Sequence, residues 1–437
     1  MSQEYAPRAD AIEALVNFEE STTSMKTLLR QMQTASPDSY QTQALTQTLA
    51  LSIVRFRNTI DFILSKSFKR KRFHDLSIRD RCILRLALFD LRWLRSEFSE
   101  ILSFYPEIES QYQKEFENTI KFNLDESIKR MPEINQMSLK YSHPTFLVKT
   151  LLENLNRDET IQLLNVNNQT RVYYIRPNRL YDKSESVFKS LENVELQQDS
   201  DVPEVSRVVH GIDAVVTSKL FKEGRVIIQD KSSVITVNTL NPQPGEKIWD
   251  ACAAPGMKTQ LVVEKMMGEG VIVASDIYEN RVKTAVEHSK HLNAHTINWI
   301  QSDASKPEVH DADKILIDAP CTSTGILQTY PSFKWRLNKD TLFALMTVQN
   351  KILDGILTHY ADRPGTEIVF STCSILPHEG ESQIDSAMQR HNIELLQPVD
   401  YGDRGYTGFD CSNMVTRLFP HKHDSSGFFI ARIKIKR

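Results

Sequence analysis

The first glycine of this 437-residue chain is Gly211, so all 14 glycines lie from that point onward. Helices do without glycine, whereas tight turns, strand-to-helix turns and loops that bring backbone close to a ligand need it. The distribution predicts a mostly helical N-terminal part followed by turn-rich α/β structure. A length of this order is compatible with two to four domains. At 40% hydrophobic and 25% charged residues, the chain is an ordinary globular sequence. No apolar run is long enough to cross a bilayer. The opening MSQEYAPRAD lacks the apolar stretch of a signal peptide. A cytoplasmic protein with no membrane partner is expected. The net charge of -3 means that any nucleic-acid surface must come from local patches. The cysteines, Cys82, Cys252, Cys321, Cys373 and Cys411, are far apart and form no CxxC pair. That argues against a disulfide framework and a cysteine-rich zinc site, and no metal is expected.

Local patterns support the division. Residues 8–20 and 23–33 read as short amphipathic helices, separated from the next by the break and cap at Ser36-Pro37-Asp38-Ser39. Leu45, Leu49, Ile53, Phe56, Ile60 and Ile63 or Leu64 recur at spacings of three or four, one face of a long helix. Ser77, with Asp80 three residues on, starts another whose apolar face carries Ile78, Cys82, Leu86 and Phe89. Residues 107–131 are expected to be helical, Met131-Pro132 marks a boundary, and helices follow from Ser142 to about Leu155 and over 158–166. Val172 to Pro177 turns β-branched and aromatic, so a small α/β unit is expected over about 170–225.

From Val226 short apolar strands alternate with helical lengths, which indicates a doubly wound, mainly parallel sheet. Four expected strands end in an acid, at Asp250, Asp276, Asp303 and Asp318. Ligands of such sheets sit at the carboxyl ends of the strands, so four consecutive acids would converge on one crevice. Asp250 leads into Ala251-Cys252-Ala253-Ala254-Pro255-Gly256-Met257-Lys258-Thr259, where small residues allow close approach of backbone to a ligand. This is neither GxGxxG nor GxxxxGK[ST], which disfavours a dinucleotide site and an ordinary P-loop. Cys321 follows the fourth strand and Cys373 the fifth. A lone free cysteine is usually a small buried hydrophobe, and Cys82, on an apolar face, and Cys411, in an expected surface loop, keep that reading. Two cysteines at adjacent strand ends point to chemistry.

These segments resemble the Sun/Fmu/RsmB family of RNA cytosine-5 methyltransferases. Gln229-Asp230-Lys231-Ser232-Ser233 is similar to the family's lead-in, DACAAPGMKT at 250–259 to its cofactor loop, usually written with GGKT, and DAPCTSTG at 318–325 and STCSILPHEGE at 371–381 to its two cysteine motifs. Arg417 to His421 and Gly427 to Ala431 resemble its closing segment. Met257 departs from the loop pattern, and Ser332 stands where the family's Pro-acid pair has its acid. Arg79 to Leu94 resembles a NusB-like RNA-binding domain, and His143-Pro144 and Ile175-Arg176-Pro177-Asn178 its following linker and small domain. The resemblance implies a Rossmann-like, S-adenosylmethionine-dependent methyltransferase domain with a mainly parallel seven-stranded sheet at 226–437. An all-α NusB-like domain at 1–135 and a small α/β linker domain at 136–225 would precede it.

By the same resemblance Cys373 is the nucleophile, Cys321 assists product release, and Asp318 contacts cofactor or base. Cys252, Ala253, Ala254, Pro255, Gly256, Met257, Lys258, Asp276, Asp303 and Asp318 would hold S-adenosylmethionine. The chemistry explains the cysteine: carbon 5 of cytosine is a poor nucleophile until a thiolate adds to carbon 6, and an ordinary cysteine, with a pKa of about 8.5, needs help to ionise. The basic run Lys69-Arg70-Lys71-Arg72, flanked by Phe68 and Phe73, is a candidate RNA contact through phosphate neutralisation and base stacking. A monomer acting on small-subunit ribosomal RNA is expected. The alternatives are transfer RNA as substrate, a non-catalytic RNA-binding assembly factor, and a nicotinamide-dependent enzyme, which the absent GxGxxG disfavours.

Overall fold

The computed structural model describes residues 5–21, 23–35, 40–68, 70–181 and 185–437. The break expected at residues 36–39 and Lys69 of the basic run lie outside the described residues. The chain forms two compact units, one of Met1–Gln169 with Leu327–Asn338 and the other of Thr170–Ile326 with Lys339–Arg437. The expected 136–225 segment is thus divided between them. Among the described residues no helix is long and apolar enough to cross a membrane.

The first unit is helical. The helix Tyr40–Ser67 buries Leu49, Ile53, Ile60, Ile63 and Leu64, the face read from their spacing. The helix Ile78–Arg92 starts where the capping pattern placed it, the Ser77 hydroxyl accepting from the Asp80 amide at 3.0 Å. Across 107–131 the helical expectation holds in pieces, Ile108–Tyr112, Gln113–Ile120 and Leu124–Ile128, because Asn123 caps a new helix rather than continuing the old one. The segment Leu327–Asn338 packs within this unit through a short 3-10 helix at Pro331–Arg336. Ser332 is buried there. The Lys334 ammonium, fully buried, donates to the carbonyls of Arg55 (3.2 Å) and Ser142 (3.0 Å) and to Asn168 Oδ1 (2.6 Å). Burial, reinforced by Arg55, holds its pKa well below the usual lysine range.

The two aromatics that flank the basic run are turned inward. Residues 70–75 form a helix, and Phe68 and Phe73 are fully buried in the helical core, 6.3 Å apart. Neither ring offers a face to a base, because burying two aromatics is worth more than exposing them. The Arg72 guanidinium is paired with Glu115.

The second unit holds two sheets. Strands β1 (Tyr173–Pro177), β2 (Glu195–Gln198), β3 (Ser206–His210) and β4 (Val226–Ile228) form a small antiparallel sheet in the order β2-β3-β1-β4. The large sheet takes β5 (Lys247–Asp250), β6 (Val271–Asp276), β7 (Ile297–Gln301), β8 (Lys314–Asp318), β9 (Glu367–Thr372), β10 (Ile393–Leu396), β11 (Asp403–Arg404), β12 (Val415–Leu418) and β13 (Phe428–Ile435). Its order is β11-β12-β13-β9-β8-β5-β6-β7, with β10 also on β13. Strands β7, β6, β5, β8 and β9 are mutually parallel, and β13 runs antiparallel to β9. Among the described residues the sheet therefore has nine strands rather than the expected seven. The long β13 offers one edge to two short partners in succession, β12 along its first half and β10 along its second, and the two-residue β11 lies beyond β12. Central strands such as β8 are buried on both faces, as their continuous apolar runs require.

The two sheets are joined by a buried polar cluster around Arg176 of β1. Its guanidinium donates to Gln229 Oε1 at 2.6 Å, to both oxygens of Glu264 at 2.8 Å, and to Gln260. Asn178 donates to the carbonyls of Gly224 and Leu292 at 2.8 and 2.9 Å. In the helical unit the corresponding centre is Asp90, which takes Arg8 Nε and the Tyr105 hydroxyl, each at 2.7 Å. Replacing Arg8 with leucine leaves this buried carboxylate uncompensated and is expected to cost about 3–5 kcal/mol. Denaturant titration of the full chain checks this; an unchanged midpoint would mean that Asp90 is satisfied without Arg8.

Candidate active site

The order of the parallel strands brings the carboxyl ends of β6, β5, β8 and β9 to one edge. Asp276, Asp250 and Asp318 close the first three, and Cys373 follows the last. The chain runs from β5 to β6 to β7 and then returns to the other side of β5 as β8, so the edge between β5 and β8 is a topological switch point. Asp303 is two residues past the end of β7, where Oδ1 accepts from the Ser305 amide and hydroxyl at 3.0 and 2.8 Å. It shapes a turn rather than ending the strand.

The loop after β5 opens a helix at Met257. Gly256 has φ of +95° and so needs to be glycine. Met257 is the first residue of the helix, a position that asks for no such backbone, which is why a side chain is accepted there. Its carbonyl accepts from Gln229 at 3.1 Å. Asp250 is buried, with Oδ2 accepting from the Thr259 hydroxyl at 2.7 Å and Oδ1 without a hydrogen-bond partner. Burial pushes its carboxyl up to about 7. The same burial, reinforced by the neighbouring acids, pushes the Cys252 thiol far up and keeps it neutral. Asp276 is nearly buried and pairs with Arg281 Nη1 at 2.8 Å. Arg281 Nη2 also donates to the Ala254 carbonyl at 2.5 Å, tying the two loops together. Ile277 and Tyr278, directly after Asp276, are exposed.

The two cysteines meet. Cys321 Sγ and Cys373 Sγ are 3.3 Å apart, and Ser323 Oγ is 3.6 Å from the Cys373 sulfur. Beside them Asp318 Oδ2 accepts from the Lys258 ammonium at 2.7 Å, and Oδ1 from the Ser371 hydroxyl at 2.9 Å. Burial works against the Lys258 ammonium, but Asp318 outweighs it and raises its pKa, so the cation is held. The Cys373 thiol is brought below the ordinary thiol range, first by the hydrogen bond from Cys321, against burial and Asp318, and with help from Ser323 and Lys258. Cys321 is correspondingly pushed well up. The pair is asymmetric: the contact between the sulfurs lowers one thiol and raises the other.

Sequence reasoning missed the group that holds the pair. Glu379 is fully buried and accepts from the Thr322 amide (2.8 Å), the Thr322 hydroxyl, the Ser374 hydroxyl (2.6 Å) and Gln349 Nε2 (3.0 Å). One carboxylate therefore joins the residue after Cys321 to the residue after Cys373. Behind it the Arg417 guanidinium pairs with Glu381, both fully buried, and donates to the carbonyls of Ser374 (2.9 Å) and Leu376 (3.1 Å). The signal was present in the hydroxyl-rich CTST and STCS segments, whose donors need a buried acceptor, but nothing in the spacing named Glu379. Cys411 also corrects its expectation. It is fully buried rather than in a surface loop, its amide donating to Asp385 at 2.9 Å. Cys82 is buried on its apolar face.

Comparison with known proteins agrees with this arrangement. Residues 237–434 match the model described as 16S rRNA methyltransferase RsmB/F, and residues 6–119 match the NusB family. The chain is similar to a ribosomal RNA small subunit methyltransferase B from Photorhabdus laumondii, 33% identical over 68% of this chain and 67% of that protein. It is also similar to a 28S rRNA (cytosine-C(5))-methyltransferase from Mus musculus, 30% identical over 67% of this chain and 39% of that protein. Among solved structures, the crystal structure of PH0851 matches with a TM-score of 0.80 and 25% identity, covering the whole of both chains. The chain belongs to the RsmB/F family of rRNA methyltransferases and carries a NusB-family domain at its N-terminal end.

Proposed function

We propose that this enzyme methylates carbon 5 of a cytosine in small-subunit ribosomal RNA, using S-adenosylmethionine and a transient covalent bond from Cys373 to carbon 6. The observation that carries the reading is the thiol pair 3.3 Å apart, with the Lys258–Asp318 ion pair beside it, at the switch point of a parallel sheet. The cofactor reading rests on acceptors at the same edge. The unpartnered Oδ1 of Asp250 and the carboxylate of Asp276 suit the ammonium and ribose hydroxyls of S-adenosylmethionine, with residues 252–258 and Asp303 completing the site. Bound there, the cofactor supplies an electrophilic methyl group.

The chain's own groups do the rest. Cys373, already easier to ionise than a free thiol, adds to carbon 6 and makes carbon 5 nucleophilic. Asp318, oriented by Ser371 and Lys258, takes up the proton released from the Cys373 thiol and passes it to ring nitrogen 3 as the sulfur adds, so the adduct forms without a charge on the ring. Once Cys373 is a thioether it no longer accepts a proton from Cys321. The interaction that raises Cys321 is then gone, so Cys321 can lose its own proton to solvent; its thiolate takes the carbon 5 proton, the carbon 5–carbon 6 double bond re-forms and Cys373 leaves as a thiolate. The target base must be unstacked to reach the sulfur, which favours single-stranded or loop RNA.

Methyl transfer from labelled S-adenosylmethionine to unmodified small-subunit ribosomal RNA and to transfer RNA, side by side, followed by nucleoside analysis, tests the reading. 5-Methylcytidine in the ribosomal RNA alone is expected; its appearance in transfer RNA alone would reassign the substrate. Cys373→Ala is expected to abolish transfer while cofactor affinity stays within about threefold of wild type; turnover persisting in that variant would rule out the covalent role. Cys321→Ala should trap a protein–RNA adduct, visible as a shifted band on a denaturing gel. An RNA-binding variant with no such band would remove Cys321 from product release.

Asp250 gives a pH test. Its folded-state carboxyl is raised to about 7, above the ordinary value of about 3.9, so the folded protein holds the extra proton between those values. Its contribution to stability therefore falls as pH rises through that window and levels off above it. Melting temperatures of the cofactor-free protein across the window should fall more steeply for wild type than for Asp250→Asn. Parallel slopes would mean that Asp250 is ionised throughout.

A further inference from the structure

Two thiols held in contact are a reactive unit whatever RNA chemistry they serve. The sulfurs of Cys321 and Cys373 are 3.3 Å apart. They need to approach by about 1.3 Å to reach a disulfide bond length of about 2.0 Å, a displacement within reach of side-chain torsions. The loops that carry them are fixed against each other. The Gly325 amide donates to the Cys373 carbonyl at 2.9 Å, Thr324 Oγ1 and Ser374 Oγ are 3.0 Å apart, and the Ile375 amide donates to Thr324 Oγ1 at 3.1 Å. Gly427 closes the arrangement, its amide donating to the Gly325 carbonyl at 2.8 Å. A side chain on Gly325 would collide with the Gly427 carbonyl, so the Cys321 loop has no room to swing away in that direction. The pair thus has a high effective concentration of one thiol at the other. Both cysteines are half-buried rather than fully enclosed.

We infer that Cys321 and Cys373 form an oxidation site that a hydroperoxide converts to a reversible intrachain disulfide, switching the enzyme off. The chemistry takes two steps. The Cys373 thiolate attacks one oxygen of the peroxide, the O–O bond breaks, and hydroxide leaves, giving a sulfenic acid on Cys373. The Cys321 sulfur then attacks the sulfenic sulfur; the S–S bond forms, the S–O bond breaks, and the Cys321 proton and the leaving hydroxide depart as water. Two thiols are oxidised together by two electrons and one peroxide is reduced. The two cysteines divide the roles of peroxide-reactive and resolving thiol, the arrangement expected of a sensor. Cys373 reacts first because it is the more easily ionised. Cys321 resolves because it is the nearest thiol. Without it, Cys373 would proceed to the irreversible sulfinic acid. The other thiols are poor competitors: burial pushes Cys82 up to about 11, and Cys252 and Cys411 further still.

The test reads the protein itself and is independent of RNA methylation. The reduced full-length chain is treated with hydrogen peroxide, then analysed by intact mass and by peptide mapping without reduction. Loss of two hydrogens is expected, with the peptides carrying Cys321 and Cys373 joined, and dithiothreitol should restore the starting mass and the methyl transfer lost on oxidation. In Cys321→Ser the same treatment should leave a sulfenic acid on Cys373, captured by dimedone, which passes to a sulfinic acid that dithiothreitol does not reverse. Sulfenic or sulfinic acid on Cys373 with Cys321 still a free thiol in the wild-type chain overturns the inference. So does a disulfide that uses Cys252, or a Cys321→Ser protein whose oxidation remains fully reversible.

Discussion

The carboxylate of Glu379 is the point on which the reactive geometry turns. Two loops leaving adjacent parallel strands have no intrinsic reason to keep Thr322 and Ser374 together, and each brings hydroxyl or amide donors into the buried interior. A single buried acceptor with room for several hydrogen bonds answers both needs. Glu379 takes donors from Thr322 on one side and Ser374 on the other, with Gln349 as a third anchor. The two sulfurs meet because the residues beside them are tied to the same two oxygens. The nearby Arg417–Glu381 pair is also fully buried and spends its remaining donors on the carbonyls of Ser374 and Leu376. A buried ion pair of this kind is weak support for stability in itself, but with its partners satisfied it holds a backbone in one conformation.

That rigidity has a chemical consequence. The covalent route proposed above asks for a nucleophile that is ionisable yet unable to drift, and for a second thiol that stays protonated until the first has reacted. Placing the thiols in contact divides their acidities in opposite directions. The Lys258–Asp318 pair works in the same way on the neighbouring strand. Lysine favours the thiolate and aspartate opposes it, and their mutual hydrogen bond keeps either from dominating. The loop after β5 is built on another principle, with a buried carboxyl left partly unsatisfied and a glycine turn bringing backbone near it.

Much of this was legible in the order of residues. Strands end in acids because the sheet is parallel and its carboxyl edge collects polar side chains, so Asp250, Asp276 and Asp318 could be assigned to one crevice before any coordinates. Asp303 was placed one step too early, since its side chain closes a turn with Ser305 after β7 has ended. The strand count differs for a similar reason: β10, β11 and β12 are too short to show an alternation of their own and exist because β13 is there to pair with β10 and β12, and β12 in turn with β11. The aromatics beside the basic run read well by composition and poorly by position. Phe68 and Phe73 looked available between charges, but helical geometry turned both into the core.

The sequence by itself determined the division into a glycine-free helical part and an α/β part, the parallel strands with their terminal acids, and the two cysteine motifs. These are carried by periodicity, turn chemistry and local composition, which act over a few residues. Only the tertiary structure decided that the cysteines touch, that Glu379 joins their loops, that Arg176 binds one sheet to the other, and that the segment around Lys334 packs within the helical unit. Each of these depends on a buried polar group finding partners far away in the chain. The partner is chosen by which donors the fold leaves without water, and spacing along the sequence carries no record of that choice.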